Sequence, residues 1–395
     1  MKVSLEAFNL LSMQSPTLGP HPLPNLRSIY SEIDSWDFAP FLRLFLNPEL
    51  VNVDIEFADG HPHLYRPAVI SLIPTGDLTR LQLKYTGGDD LSLGALCNLL
   101  DKASKSLRSV SLDGELSMGV IEKLLQLPNL RCLDVQLPQT RISPPAAVFP
   151  SLEKLVVSYR DAGSWLHILR NIPNPALREL DVSFTGSSST YLETLGSSLF
   201  AAYVDRNLTS LKCTSRNAIP LTEAGIRQFL PFKKLTTLEL TTPCIGSRCG
   251  VQLNDSIISE LAMALPHLVS LCLGDAPCKA SASNVTVASL VALSVNCVDL
   301  DFLQLHFNAI DIITRGTRTT SQTHNFTCKL RTLSVGSQPL PSNPNDILLV
   351  TFAILRIFPH TETILSVGGG WRQVREGVQL FQKVSRIIPS PTEDL

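Results

Sequence analysis

The stretch Leu78-Thr79-Arg80-Leu81-Gln82-Leu83 places apolar side chains at its first, fourth and sixth positions. The last two are two residues apart, so in an extended chain they share one face while Arg80 and Gln82 share the other. The same L-x-x-L-x-L phrase, with Ile, Val or Cys as substitutes, returns at Leu50-Val53-Ile55, Leu107-Val110-Leu112, Leu130-Leu133-Val135, Leu152-Leu155-Val157 and Leu177-Leu180-Val182. Later copies are Leu208-Leu211-Cys213, Leu235-Leu238-Leu240, Leu268-Leu271-Leu273, Leu300-Leu303-Leu305 and Leu330-Leu333-Val335. Two weaker copies flank these eleven, Leu26-Ile29 with Ser31 in third place and a degenerate one around Leu365 and Val367.

From Leu50 to Leu330 the first leucines are separated by 28, 29, 23, 22, 25, 31, 27, 33, 32 and 30 residues, close to or above the spacing of leucine-rich repeats. Between phrases, apolar residues fall three or four apart, as in Leu93, Leu96, Leu99 and Leu100, or Ile257, Ile258, Leu261 and Leu265. That spacing predicts one helix per repeat. Pro24, Pro48, Pro128, Pro150, Pro175 and Pro266 each stand two positions before a first leucine, where a fixed φ and a missing donor stop the preceding helix. One strand and one helix cannot bury their apolar faces alone, but stacked copies share a continuous core. The expected fold is an α/β leucine-rich-repeat solenoid of about twelve or thirteen irregular repeats. It is a horseshoe with a parallel β-sheet on the concave face and helices on the convex face. Aspartate at Leu180 is expected to disrupt the neighbouring repeats.

The expected organisation is a partial leading repeat over residues 1–22, with a helix at Leu5 to Met13, an array over 23–367, and a capping helix and tail over 368–395. In the cap, Trp371, Val374, Val378, Phe381 and Val384 share a helix face, and Gly368, Gly369 and Gly370 make a flexible connection ahead of it.

Composition excludes several classes of function. The 395 residues are 44% hydrophobic and 17% charged, with a formal net charge of -2, which predicts a chain folded throughout and offers nothing global to nucleic acid or an anionic membrane. The first residues lack a convincing secretory segment, and the longest apolar run, Ile347 to Phe358, is broken by Thr351 and Arg356. Nine cysteines without paired spacing fit reduced thiols, so a soluble monomer in the cytoplasm, the nucleus or both is expected. Cys244, Cys249, Cys272 and Cys278 lack zinc-ligand spacing, as do His61 and His63. No G-x-S-x-G elbow or comparable constellation marks a nucleophile. The expectation is a chain that is not an enzyme and takes no cofactor or metal.

The irregular phrases, Pro-led strands such as FPSLEKLVVS and LPHLVSLCLG, and the closing IFPHTETILSVGGGWRQV resemble fungal F-box leucine-rich-repeat proteins over almost the entire chain. The resemblance implies that the repeats hold a protein target for a Skp1-cullin-F-box ubiquitin ligase. No Leu-Pro-x-Glu-like helical F-box precedes LPNL here, so Skp1 and cullin docking is implied only with an F-box supplied upstream. The alternative is a stand-alone protein-binding scaffold.

Residues before, between and after the second and third apolar positions are expected on the concave face. The candidates for partner binding are Asp113, Asp134, Glu179, Asp181, Lys212, Glu239, Phe302 and His306, the acidic members offering a surface to a basic segment. Lys154 and Lys212 interrupt the acidic strip, and its bland reading is a solvated sheet face. Tyr30, Phe302 and Tyr159 are candidate aromatic anchors.

Overall fold

The computed structural model describes residues 23–33, 39–58, 65–84, 90–137, 150–160, 176–186, 190–203, 207–243, 250–275, 283–315, 327–335, 340, 343–366 and 369–387. Contacts divide the chain into two compact units, Met1–Leu180 and Asp181–Leu395. The expected helix at Leu5 to Met13, the loop with His61 and His63, and Cys244, Cys249 and Cys278 lie outside the described residues.

In the first unit, β1 (Ser28–Ile33), β2 (Asn52–Phe57), β3 (Arg80–Lys84), β4 (Ser109–Glu115), β5 (Cys132–Gln136) and β6 (Lys154–Tyr159) pair in chain order, all parallel. Helices α1 (Ala39–Phe45), α2 (Arg66–Leu72), α3 (Asp90–Lys102) and α4 (Met118–Leu125) connect successive strands, and neighbouring helices pack together. Strand β7 (Glu179–Phe184) has residues in both units.

The second unit continues the alternation with α5 (Tyr191–Tyr203), β8 (Ser210–Ser215), β9 (Leu221–Thr222), α6 (Glu223–Arg227), β10 (Thr237–Thr241), β11 (Val251–Gln252), α7 (Asp255–Ala264), β12 (Ser270–Leu273) and α8 (Val287–Asn296). It ends with β13 (Phe302–Leu305), α9 (Ile310–Arg315), β14 (Thr332–Ser334), α10 (Pro344–Ile357), β15 (Thr363–Leu365) and α11 (Gly369–Ile387). Here β8, β10, β12, β13, β14 and β15 pair in that order, again parallel where register is defined.

The leucine phrase sets the core. In the first unit Leu50, Leu78, Leu107, Leu130 and Leu152 are fully buried, as are Leu208, Leu235, Leu268, Leu300 and Leu330 in the second. The second and third positions fall in register from strand to strand, Val53 on Leu81 on Val110 on Leu133 on Leu155, and Leu211 on Leu238 on Leu271 on Leu303 on Leu333. An apolar row of this kind cannot slip by one residue without turning every side chain to the other face. The weak final copy reads differently from its sequence. Ile364 pairs with Leu333 and is buried, whereas Leu365 is exposed, because the three-residue strand enters one position earlier than a phrase centred on Leu365 and Val367 implies.

Repeats of the second unit are also tied through their helix ends. Thr222, Asn254 and Thr286 cap α6, α7 and α8, accepting from the amides of Gly225 at 3.1 Å, Ile257 at 3.1 Å and Ala288 at 3.2 Å. Asp255, first residue of α7, accepts from the Thr286 amide and hydroxyl, each at 2.7 Å, and from the Ser289 hydroxyl. The α7 carboxylate thus completes the α8 cap, where a negative group also suits the helix dipole. Just ahead of these caps, β9 and β11 form a second short parallel pair and Asn254 bridges to Asn284. These extra elements occupy the added length of the later repeats. Asp255→Ala is expected to cost about 1–2 kcal/mol and to lower the thermal midpoint, with Asp255→Asn recovering part of it; an unchanged melt would refute the cap.

Helix α11 packs on α10 and β15. Trp371, Val374 and Val378 are buried, and the Trp371 ring meets Phe307 edge-on with centroids 5.8 Å apart. Phe381 and Val384 do not continue that face, being 46% and 43% exposed. The glycines play a different part from the expected linker, since Gly369 and Gly370 lie in the first turn of α11. A Cβ at Gly370 would come 2.7 Å from the Leu340 Cβ, so glycine there permits close approach rather than flexibility. Gly368 lies outside the described residues.

Candidate functional site

The residues between the buried leucines line up into rows on the outer face of each unit. Register in the first gives Tyr30, Asp54, Gln82, Ser111, Asp134 and Val156 along one row, with Glu56, Lys84 and Asp113 along the next. In the second unit one row runs Ser210, Thr237, Ser270, Phe302 and Thr332, and the next runs Lys212, Glu239, Cys272, Gln304 and Ser334. Parallel neighbours lie about 4.8 Å apart, so equivalent residues of adjoining repeats stand side by side.

Of the expected partner-binding residues, Asp113, Asp134 and Glu179 belong to the first unit, and Asp181, Lys212, Glu239, Phe302 and His306 to the second. Asp113, Asp134 and Glu179 are exposed; Asp181, Lys212, Glu239 and Phe302 are half-buried. The acidic character is largely cancelled across strands. Lys154 Nζ lies 2.8 Å from Glu179, Lys212 Nζ 2.8 Å from Glu239, and Lys84 Nζ 3.4 Å from Glu56. Exposed pairs of this kind contribute about 0–1 kcal/mol; their larger effect is to neutralise the face. The lysines expected to interrupt an acidic strip therefore compensate it.

Asp113 and Asp134 form no ion pair among the described residues. Asp134 accepts from the Ser111 hydroxyl at 3.0 Å. Its carboxyl is held above its ordinary value, chiefly because the side chains around it displace water, with Asp113 adding to the shift and Ser111 and Lys154 opposing it. Asp54, in the same row, is raised for the same first reason.

His306 does not belong to the exposed face. It is 2% exposed, its Nε2 donates to the Asp275 carbonyl at 2.6 Å, and its own carbonyl accepts from the Ser283 hydroxyl at 2.7 Å. Burial holds the imidazole below its ordinary value, partly offset by the Asp275 carbonyl. The cause is local, for β13 ends at Leu305, so the alternation that would point the next residue outward has already stopped. His306 instead braces the turn after β12, where Gly274 adopts a φ of 88° that L side chains rarely take.

Cys272 and Ser334 were likewise expected on the face and are buried. Glu239 and Gln304 flank Cys272 in register, and the Gln304 amide donates to the Gly274 carbonyl at 2.6 Å, so long neighbours close over small side chains. Tyr159, a candidate aromatic anchor, is buried too, while Tyr30 is 49% exposed.

Among the described residues no cluster of three or more His, Cys, Asp or Glu side chains could hold a metal, and no helix is long and apolar enough to cross a membrane. Sequence reasoning missed a polar pocket of 290 Å3 at the opposite, leading ends of β3 to β6, lined by Asp77, Lys105, Arg108 and Arg131 among others. Its signal was available, since Arg108 and Arg131 both directly follow the first leucine of a phrase. No protein-family model matches the chain, and comparison with curated proteins finds no match.

Proposed function

We propose that this chain is a leucine-rich-repeat protein that holds another protein on its concave strand face, and that it serves as the target-recognition part of a Skp1-cullin-F-box ubiquitin ligase. The observation that supports partner binding is the in-register alignment of exposed side chains into rows across neighbouring strands. Rows of mixed polar groups on a rigid parallel sheet present an ordered surface at low entropic cost. Asp113 and Asp134 suit the first unit's face to a basic segment, because they form no ion pair among the described residues whereas Glu56 and Glu179 are matched by lysines. The ligase role rests on the family resemblance of the phrases and the closing segment. On this reading the protein acts in the cytoplasm or nucleus, takes no cofactor and catalyses no reaction itself.

The test is affinity purification from native cells followed by mass spectrometry, comparing the wild type with an Asp134→Lys, Asp181→Lys double variant. The expected result is recovery of Skp1 and cullin with the full-length gene product, alongside a partner lost from the variant. A mutation-sensitive partner without ligase subunits would establish a stand-alone scaffold; partners indifferent to the mutations would refute the sheet-face site.

A further inference from the structure

A number of the charges on this protein are matched from repeat to repeat. Besides the sheet-face pairs, Lys123 meets Asp101 at 2.7 Å, Lys329 meets Asp299 at 2.7 Å, Arg27 meets Glu49 at 2.7 Å, and Arg331 meets Asp301 on the adjoining repeat. The pocket of the first unit departs from this pattern. The Arg108 amide donates to the Thr79 carbonyl, the Arg131 amide to the Arg108 carbonyl, and the Glu153 amide to the Arg131 carbonyl, each at 2.8 Å. Arg108 therefore sits between a threonine and a second arginine. Arg131 reaches Glu153 at 3.4 Å, but neither the Arg108 guanidinium nor the Lys105 ammonium has a partner among the described residues.

The pocket is built from two rows flanking the buried first leucines. Asp77, Ser106, Asn129 and Ser151 directly precede them, and Thr79, Arg108 and Arg131 directly follow. The preceding row is held by its own bonds. Asn129 Nδ2 donates to the Lys105 carbonyl at 2.8 Å, Ser151 Oγ to the Pro128 carbonyl at 3.0 Å, and Ser106 Oγ to the Ala103 carbonyl at 3.1 Å. The rim is thus fixed while the cations are left to face solvent. With Arg131 answered by Glu153, Lys105 and Arg108 against the Asp77 carboxylate leave an excess of one positive charge. Arg108 and Arg131, one residue ahead of β4 and β5, are like charges on adjoining repeats about 4.8 Å apart at their Cα atoms, and Glu153 answers only Arg131.

We propose that this pocket binds a phosphomonoester dianion. Guanidinium forks match the oxygens of a tetrahedral oxyanion two at a time; Arg108 offers such a fork with no ion pair among the described residues, and Arg131, 3.4 Å from Glu153, and Lys105 add cationic groups beside it. The pocket's volume of 290 Å3 leaves room for a phosphate and the carbons bearing it. The pocket lies at the leading ends of the strands, apart from the Asp113 and Asp134 rows, so it stands or falls independently of the partner-binding reading.

Calorimetric titration of the full chain at low salt tests it, using inorganic phosphate, glucose 6-phosphate, and a phosphoserine peptide with its unphosphorylated twin. The expected result is one saturable site for a phosphate probe, weakened at least about tenfold in Arg108→Glu and Arg131→Ala and unchanged in Arg331→Ala. Circular dichroism checks folding, and Arg108→Lys, which keeps the charge and loses the fork, is expected to fall between. Tighter binding of the peptide than of the sugar phosphate identifies a protein-borne phosphate, and the reverse a small metabolite. Absence of saturable binding by every probe, or equal weakening in Arg331→Ala, would overturn the proposal.

Discussion

Leu238→Asp is expected to abolish cooperative folding of the second unit, with a loss of at least ~4 kcal/mol. Leu238 is fully buried and lies in register between Leu211 and Leu271, themselves fully buried. A carboxylate there loses the transfer energy of the leucine, about 1.5–3 kcal/mol, and adds an uncompensated charge flanked by aliphatic neighbours. Because stacked repeats take most of their stability from interfaces with the repeat on either side, the damage spreads both ways. Leu180→Asp, at a position 1% exposed in the first unit, is expected to act alike. Far-ultraviolet circular dichroism and limited proteolysis read both. Spectra and digestion patterns matching the wild type would mean the leucine register is misassigned.

The second large effect is expected at the closing helix. Trp371→Ala is expected to cost about 3–5 kcal/mol, because the indole is 1% exposed and packed edge-on against Phe307. Val374 and Val378 remain to hold α11, and Gln382 Nε2 donates to the Pro359 and Thr361 carbonyls at 3.0 and 3.2 Å. The expected result is therefore an early denaturation phase in which α11 detaches and becomes protease-sensitive while the preceding repeats persist. A single transition at the wild-type midpoint would show that the tryptophan does not secure the helix.

The strand pattern was legible in the sequence because its information is local and periodic. Two apolar residues one apart, with a leucine three ahead, fix which face of a strand is buried, and even Cys213 in third place was read correctly as core. Exposure of the remaining positions was legible only where strands are long enough to keep alternating. In the first unit β2 and β4 run six and seven residues, so Glu56 and Asp113, one step past the third apolar position, remain within the strand. In the second unit β12 and β13 run four, and His306 falls past the end, where a turn and a carbonyl decide its direction. Cys272 and Ser334 show a second limit, since burial of a small side chain depends on the length of neighbours supplied by other repeats. The charge matching of Lys154 with Glu179 and Lys212 with Glu239 was hidden for a similar reason. Each partner stands 25 or 27 residues away, and only register brings them together.

A pile of parallel strands built by repetition contains no instruction to stop. Every strand that closes one repeat offers its free edge to the next, and the same offer can be taken up by another molecule. Strand β15 is the last in the described order and is only three residues long, with α11 packed against it. The brevity of that strand leaves few backbone groups to recruit a stranger. Seen this way, the shortness of β15 and the helix packed on it together limit what the end of the described sheet offers to another chain.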